Sequence, residues 1–165
     1  MIAAAPGLDA APELRLRLAD LYAAYDSALD EGELEHWPDF FTEHCLYQVL
    51  PRENYDAGLP AAVMYAESRA MLADRVVALR NAMFFAPRII RRLNGNIRLR
   101  AIEPEGMRLS ASFALFQTML NEPSELLLCG RFYDRVVEDA GVLRFAERIC
   151  VTDATSVLTS LIYPI

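Results

Sequence analysis

A chain of 165 residues is long enough to bury one hydrophobic core but short for two domains. Its formal net charge of -7 at pH 7 opposes binding to nucleic-acid phosphates or to an anionic membrane, so neither is an expected partner. Hydrophobic residues make up 54% of the sequence, which indicates apolar surface left over for contact with another subunit.

The sequence carries no export or membrane signal that we can identify. Residues 1–12 are rich in Ala and Pro and are expected to form a flexible leader before a single domain over residues 13–165. The three cysteines lie in apolar or alternating runs, and their odd number argues against a disulfide framework. We therefore expect reduced thiols and a cytoplasmic protein.

The first half of the sequence is predicted to be mainly helical. Leucine and tyrosine side chains recur at three- and four-residue steps from Glu13 to Leu29, which predicts an amphipathic helix. A shorter helical pattern follows from Glu33 to Phe41 and contains Trp37. Large aromatic residues at this spacing usually belong to a core, but Trp37 is also a candidate anchor against a neighbouring subunit.

A strand, a polar loop and a longer helix are predicted next. Their expected bounds are His44–Leu50 for the strand, Arg52–Pro60 for the loop and Glu67–Ala82 for the helix, with Ala61–Ala66 either a short strand or the start of that helix. The loop concentrates Arg52, Glu53, Asn54 and Asp56, which suits either a self-contained turn or a loop buried against a partner. Arg75 in the helix is either one half of a local pair with Asp74 or a clamp for a carboxylate of another segment.

The second half of the sequence predicts a meander of strands. A basic and apolar segment, Phe84–Asn96, ends in the turn signal Asn94–Gly95. Four runs rich in β-branched and aromatic residues follow: Ile97–Ile102, Met107–Leu120, Glu125–Val137 and Val142–Thr155. Helices followed by long strands predict an α+β fold in which a curved antiparallel sheet wraps around the N-terminal helices.

Two features near the end of the chain are expected to need contacts with other residues. Strand alternation places Arg144 and Arg148 on one face of the last strand and turns Glu147 inward, where it would need an arginine. The apolar ending, which contains Tyr163 and Ile165, is expected to dock, because about 1.5–3 kcal/mol is lost for each large side chain left in water.

The residues needed for redox chemistry are missing. A Rieske cluster needs two cysteines and two histidines in C-x-H and C-x-x-H motifs, and the sequence has only two histidines, His36 and His44, and no C-x-H. A mononuclear iron needs two histidines and a carboxylate, and only His36 and His44 with Asp39 or Glu43 could supply these ligands. The residues around the two histidines favour a packing role instead. Motifs for dinucleotides, nucleotide triphosphates and serine hydrolases are also missing. We expect no catalytic, cofactor-binding or metal-binding residue in this chain.

An enzymatic alternative remains open at this stage. Ketosteroid isomerase-like proteins have a cone-shaped α+β fold with this order of elements, and they use an aspartate base near the end of their first long strand. In this sequence the corresponding stretch is Tyr47–Pro51, which contains no carboxylate. Glu53, Asp56 or Asp153 would have to take that role.

Three segments resemble the small, or β, subunit of Rieske-type aromatic-ring-hydroxylating dioxygenases such as the benzoate, terephthalate and salicylate systems. They are the R-E-N-x-D-x-G-L-P loop from Arg52, the M-L-x-D-R-V-x-x-L-R helix from Met71, and an ending formed by Arg148–Asp153 and Ile162–Ile165. The resemblance extends from about Tyr25 to Ile165.

This resemblance implies a cone of the nuclear-transport-factor type and a non-catalytic platform in aromatic compound catabolism. Such β subunits form a homotrimer stacked on three α subunits in a mixed hexamer, and the α subunits carry the Rieske 2Fe–2S cluster and the catalytic iron. On this basis, the candidate subunit-interface residues are Trp37, Arg52, Glu53, Asn54, Asp56, Arg75, Tyr163 and Ile165. A stand-alone isomerase or cyclase, or a ligand-binding protein of the same fold, is the alternative, and the aromatic substrate stays open.

Overall fold

The computed structural model describes residues 11–81, 87–154 and 163–165. Three helices, one 3-10 helix and six strands follow one another along the described chain. Their bounds are α1 Pro12–Asp30, the 3-10 helix Leu34–Phe40, β1 Phe41–Pro51, α2 Arg52–Asp56, β2 Met64–Ser68, α3 Arg69–Asn81, β3 Arg88–Glu103, β4 Gly106–Met119, β5 Glu125–Asp139 and β6 Val142–Thr152. None of the helices described is both long enough and apolar enough to cross a membrane.

The six strands form one sheet in the order β2-β1-β6-β5-β4-β3. Neighbouring strands are antiparallel except for β1 and β6, which run parallel. The sequence predicted an antiparallel sheet, and this parallel pair is the difference. It can form because β1 and β6 are far apart in sequence, so no tight hairpin has to join them.

The helices cover one face of the sheet, as the sequence predicted. Helix α1 buries the apolar stripe expected from its periodicity, formed by Leu18, Leu21, Tyr22, Tyr25 and Leu29. The 3-10 helix adds Leu34 and Trp37 to the same core. The α+β class is therefore confirmed.

The predicted turn at Asn94–Gly95 is wrong. Both residues lie inside β3, which pairs with β4 along its whole length, and the register shifts between Gly95 and Arg98. Asn96 has a φ of 54°, a left-handed conformation that asparagine tolerates better than most residues. The Asn-Gly-Asn sequence thus produces a β-bulge that bends one long strand instead of a reversal between two short ones.

A second bulge changes which residues of β6 face the core. Arg135 of β5 lies opposite Glu147, and the next residue, Val136, lies opposite Phe145, so Ala146 is an extra residue on β6. The bulge puts both Phe145 and Arg148 on the inner face. The predicted inward orientation of Glu147 is therefore wrong, and so is the placement of Arg148 opposite the apolar face.

Candidate functional site

The inner face of the sheet holds a buried ion pair that joins it to α1. Arg148 of β6 and Asp134 of β5 are direct cross-strand neighbours. Arg148 Nη2 donates to Asp134 Oδ2 at 3.1 Å, and Arg148 Nε donates to Asp134 Oδ1 at 3.3 Å. The Tyr22 hydroxyl of α1 donates to the same carboxylate. The side chains of the pair have no solvent exposure.

Aromatic rings surround the guanidinium of Arg148. Its Cζ lies 4.0 to 4.9 Å from the ring centroids of Tyr22, Tyr25, Phe132 and Phe145. Each distance is within cation–π range, so the rings stabilise a charge that water cannot reach. Within the described part of the chain, Arg148 Nη1 is buried without a hydrogen-bond partner. Arg148 and the four rings around it are all buried.

The ion pair is suited to structure and not to proton transfer. Burial lowers the pKa of Arg148, but the carboxylate of Asp134 together with the Tyr25 and Tyr22 hydroxyls outweighs that effect and raises it, so the guanidinium stays charged. Burial raises the pKa of Asp134, and the hydrogen bonds from Arg148 and Tyr22 oppose that rise. A general acid or base must reach a substrate proton, and neither group is accessible to one.

A second polar cluster links α1 to β3. Arg92 Nη1 donates to Asp30 Oδ1 at 2.6 Å, and Asn94 Nδ2 donates to Asp26 Oδ1 at 2.8 Å. Burial raises the pKa of Asp26 to about 6, and nearby Asp30 adds to the rise while Arg148, Arg92 and Asn94 oppose it. The charge of Asp26 therefore changes near pH 6, which bears on the stability of the folded chain.

The predicted acid–base candidates lie outside the cone interior. Glu53 and Asp56 are exposed on α2. Asp153 has a side chain that is 58% exposed and accepts a hydrogen bond from Arg52 at 3.3 Å. The structure therefore brings none of these carboxylates into an apolar pocket that would tune it as a base.

The two histidines do not fit an iron site. His36 and Asp39 form an exposed pair 3.6 Å apart on the 3-10 helix, and His44 is exposed on β1. Among residues 11–81, 87–154 and 163–165, no group of three or more His, Cys, Asp or Glu side chains is placed to hold a metal ion. The three cysteines are free thiols, and burial raises the pKa of Cys45 to about 11.

The candidate interface residues fall into two groups. Trp37 and Ile165 have no solvent exposure within the chain itself, which agrees with the core role that the sequence offered for Trp37. Tyr163 is half-buried and packs against the core. Arg75 is half-buried on α3, and burial lowers its pKa.

The remaining four candidates, Arg52, Glu53, Asn54 and Asp56, lie together on α2. Asn54 Nδ2 donates to the carbonyl oxygen of Ala61 at 2.9 Å, which closes the loop after the helix. Arg52 Nη1 donates to the Tyr133 hydroxyl of β5 at 3.4 Å. Internal contacts thus hold this segment in place, while Glu53 and Asp56 face solvent.

Sequence reasoning missed the apolar side chains beside these polar residues. Leu59, Val63 and Tyr65 are 51%, 45% and 49% exposed and follow α2 up to β2, an edge strand of the sheet. We name the residues Arg52, Glu53, Asn54, Asp56, Leu59, Val63 and Tyr65 the α2–β2 surface. The sequence carried no signal for them, because an apolar residue does not by itself show whether it faces the core or solvent.

The buried ion pair was also missed as a unit. Asp134 interrupts an otherwise apolar inner face of β5, and that interruption was the available signal. The prediction that Glu147 needs an arginine is confirmed, although on the outer face: its carboxylate accepts hydrogen bonds from Arg108 and Arg135, each at 2.8 Å.

The fold and site together define an α+β cone protein with a buried ion pair between its sheet and α1. The model of the family described as ring hydroxylating beta subunit matches residues 26–159, and the chain belongs to this family.

The relatives agree with this assignment. The chain is 33% identical to the small subunit of anthranilate 1,2-dioxygenase from Burkholderia cepacia, over 86% of this chain and 88% of the relative. It is 32% identical to subunit beta 2 of the terminal oxygenase component of terephthalate 1,2-dioxygenase from Comamonas sp, over 91% of this chain and 97% of the relative. A solved structure from Novosphingobium aromaticivorans is described as the beta subunit of an aromatic-ring-hydroxylating dioxygenase. It is 40% identical to this chain with a TM-score of 0.85, and the match covers 94% of this chain and 99% of the solved one. The predicted cone fold and family are therefore confirmed.

Proposed function

We propose that this chain forms a homotrimer that serves as a non-catalytic platform for three Rieske α subunits. The family match carries the proposal. The buried ion pair of Asp134 and Arg148 supports it, because neither side chain is exposed to act on a substrate. On this proposal residues 13–165 act as one cytoplasmic domain, residues 1–12 are a leader, and the 2Fe–2S cluster and catalytic iron belong to the α subunit.

Co-expression with the α subunit tests this proposal. A tagged Rieske α chain should retain the untagged β chain through purification, and light scattering should give the mass of six chains. The β chain purified alone should bind no iron and consume no oxygen. Failure to co-purify, together with iron and oxygen-consuming turnover in the isolated β chain, would refute the proposal.

We also propose that the assembled oxygenase acts on an aromatic carboxylic acid. Two relatives that this chain matches over most of its length are named for such acids, anthranilate and terephthalate. Oxygen uptake by the reconstituted oxygenase with its electron-transfer partners should be faster with benzoate, anthranilate, salicylate or terephthalate than with naphthalene or biphenyl. A preference for the uncharged hydrocarbons would contradict this part of the proposal and leave the platform role intact.

The α2–β2 surface is our proposed subunit contact. It combines exposed apolar side chains, which cost free energy in water, with exposed carboxylates that can accept hydrogen bonds from a neighbour. Internal contacts already order the segment, so little conformational entropy would be lost on binding. Trp37 and Ile165 would then support the contact indirectly, by fixing the core beneath it.

A further inference from the structure

A polar pocket of about 470 Å³ lies between α2 and the strands β4 and β5. Its polar lining includes Arg52, Ser112, Arg131, Tyr133 and Asp153. Pockets that bind small molecules have volumes of roughly 300–1,000 Å³, so this one is large enough for a small organic ligand.

The strand register puts three of these side chains on the face of the sheet opposite α1. Ser112 of β4 lies directly across from Arg131 of β5. Side chains at directly opposite positions share a face, and Tyr133, two residues after Arg131, shares it too. Phe132, which lies between them, faces the core and is 1% exposed. The pocket is therefore separate from the buried ion pair on the inner face.

Helix α2 brings a second arginine to the pocket. The Tyr55 ring stacks on the Tyr133 ring, with centroids 5.0 Å apart and an angle of 3° between the planes. Arg52 Nη1 donates to the Tyr133 hydroxyl at 3.4 Å. These contacts fix α2 against β5, so that Arg52 and Arg131 line the same pocket.

The positive charge of Arg131 has no counter-charge in the described part of the chain. Arg52 has Asp153 at 3.3 Å and Asp56 at 4.0 Å, so these two carboxylates are paired with Arg52. Arg131 is exposed and forms no ion pair with any described residue. Residues 155–162, which follow soon after β6, contain no Asp or Glu. The ligand that this charge favours is an anion.

Two hydroxyl groups add donors beside the arginines. The Tyr133 hydroxyl accepts the hydrogen bond from Arg52, which leaves its own proton for another acceptor. The Ser112 hydroxyl has no hydrogen-bond partner among the residues that the structure describes. A carboxylate suits this set of donors, because its two oxygens accept from a guanidinium fork and from hydroxyls at the same time.

We propose that this pocket binds the carboxylate of a small organic acid. Arg131 donates to both carboxylate oxygens, and the hydroxyls of Ser112 and Tyr133 donate to the same oxygens. Arg52 adds positive charge and holds the Tyr133 hydroxyl in place. The site lies in the β chain itself, so its test needs no α subunit and is separate from that of the platform role.

Calorimetric titration of the full chain with benzoate at neutral pH tests the proposal. We expect one saturable site per chain, with a Kd of roughly 1 mM or lower. Benzamide, which has nearly the same shape without the charge, should bind roughly tenfold or more weakly. Arg131→Met should weaken benzoate binding by roughly tenfold or more, and Arg131→Lys, which keeps the charge and loses the fork, should weaken it less.

A second arginine variant is the matched control. Arg17→Met removes the same charge from α1, away from the pocket, and should leave the affinity for benzoate unchanged. Because Arg131 is exposed, Arg131→Met should keep the thermal midpoint within a few degrees of wild type. A loss of affinity in that variant therefore reports on binding and not on folding.

Three results would overturn the proposal. The first is the lack of saturable benzoate binding, and the second is equal weakening by Arg131→Met and Arg17→Met. The third is tighter binding of inorganic phosphate than of benzoate, which would make the pocket a site for a different anion. If benzoate does not bind but Arg131→Met prevents retention by a tagged α chain, Arg131 serves a protein contact instead.

Discussion

Arg148 is a charged side chain at a position where solvent cannot reach it, and one carboxylate balances it. We expect Arg148→Met to lower the free energy of unfolding by about 3–5 kcal/mol, because Asp134 is left as an uncompensated buried charge. Urea denaturation followed by circular dichroism measures the loss. The double variant Arg148→Met, Asp134→Leu should recover much of it.

A surface pair provides the matched control for this prediction. Arg17 and Glu138 form an ion pair at 2.9 Å with side chains that are 36% and 53% exposed, so Arg17→Met should change the free energy of unfolding by less than about 1 kcal/mol. If the single and double variants at Arg148 and Asp134 were equally unstable, the loss would come from packing and not from the unpaired carboxylate.

Asp26 should make stability depend on pH. Burial raises its pKa from 3.8 to about 6 in the folded chain, against opposition from Arg148, Arg92 and Asn94. A raised folded-state pKa contributes stability that is present below about pH 4 and is lost as the pH rises through about 6. The loss is about 2 kcal/mol after allowance for partial exposure.

Comparison with Asp26→Asn isolates this contribution from the other carboxylates. The difference in unfolding free energy between wild type and Asp26→Asn should change between pH 4 and pH 7. Wild type should become the less stable of the two as the pH rises. A difference for Asp26→Asn that stays flat across this range would contradict the prediction.

At the level of elements, the sequence predicted the helices and strands whose side-chain periodicity is uninterrupted. Helix α1 and strands β4 and β5 lie within a few residues of their expected bounds. Two errors occur where one additional residue breaks the period, at Ala146 in β6 and at Asn94–Asn96 in β3. The loop predicted over Arg52–Pro60 is also partly wrong, because it begins with the short helix α2. A bulge depends on the register of the neighbouring strand, which local sequence does not contain, so the burial of Arg148 could not be read from alternation.

Gly130 allows the central strands to approach one another closely. A Cβ placed on it would lie 2.0 Å from the Val151 carbonyl oxygen and 2.9 Å from Phe113. Gly130→Ala should therefore cost about 3 kcal/mol or more, since backbone must move to make room. Gly95→Ala is the matched control: nothing lies within 4 Å of its Cβ position, and its effect should be within about 1 kcal/mol. Equal thermal midpoints for the two variants would contradict this prediction.

For the whole molecule, a subunit contact has to be made by side chains that the fold leaves exposed. The candidate residues of the α2–β2 surface could be chosen from sequence because a loop with four polar residues has little to gain from core packing. Leu59 and Val63 could not be chosen in this way, because the sequence does not show whether an apolar residue faces the core or solvent. Only the structure separates exposed apolar residues from those in the core.

The α2–β2 surface should be required for assembly and not for folding. Val63 is 45% exposed, so Val63→Asp should leave the thermal midpoint of the isolated chain within a few degrees of wild type. An unpaired carboxylate at a subunit contact should weaken retention by the α chain, or trimer formation, at least tenfold, because the charge would have to be desolvated. Co-purification with tagged α chain and sedimentation of the isolated β chain separate these two contacts. Val77→Asp on α3, at a site that is 57% exposed, introduces the same charge away from this surface and should assemble normally. Normal assembly of Val63→Asp in both experiments would show that the subunits meet elsewhere.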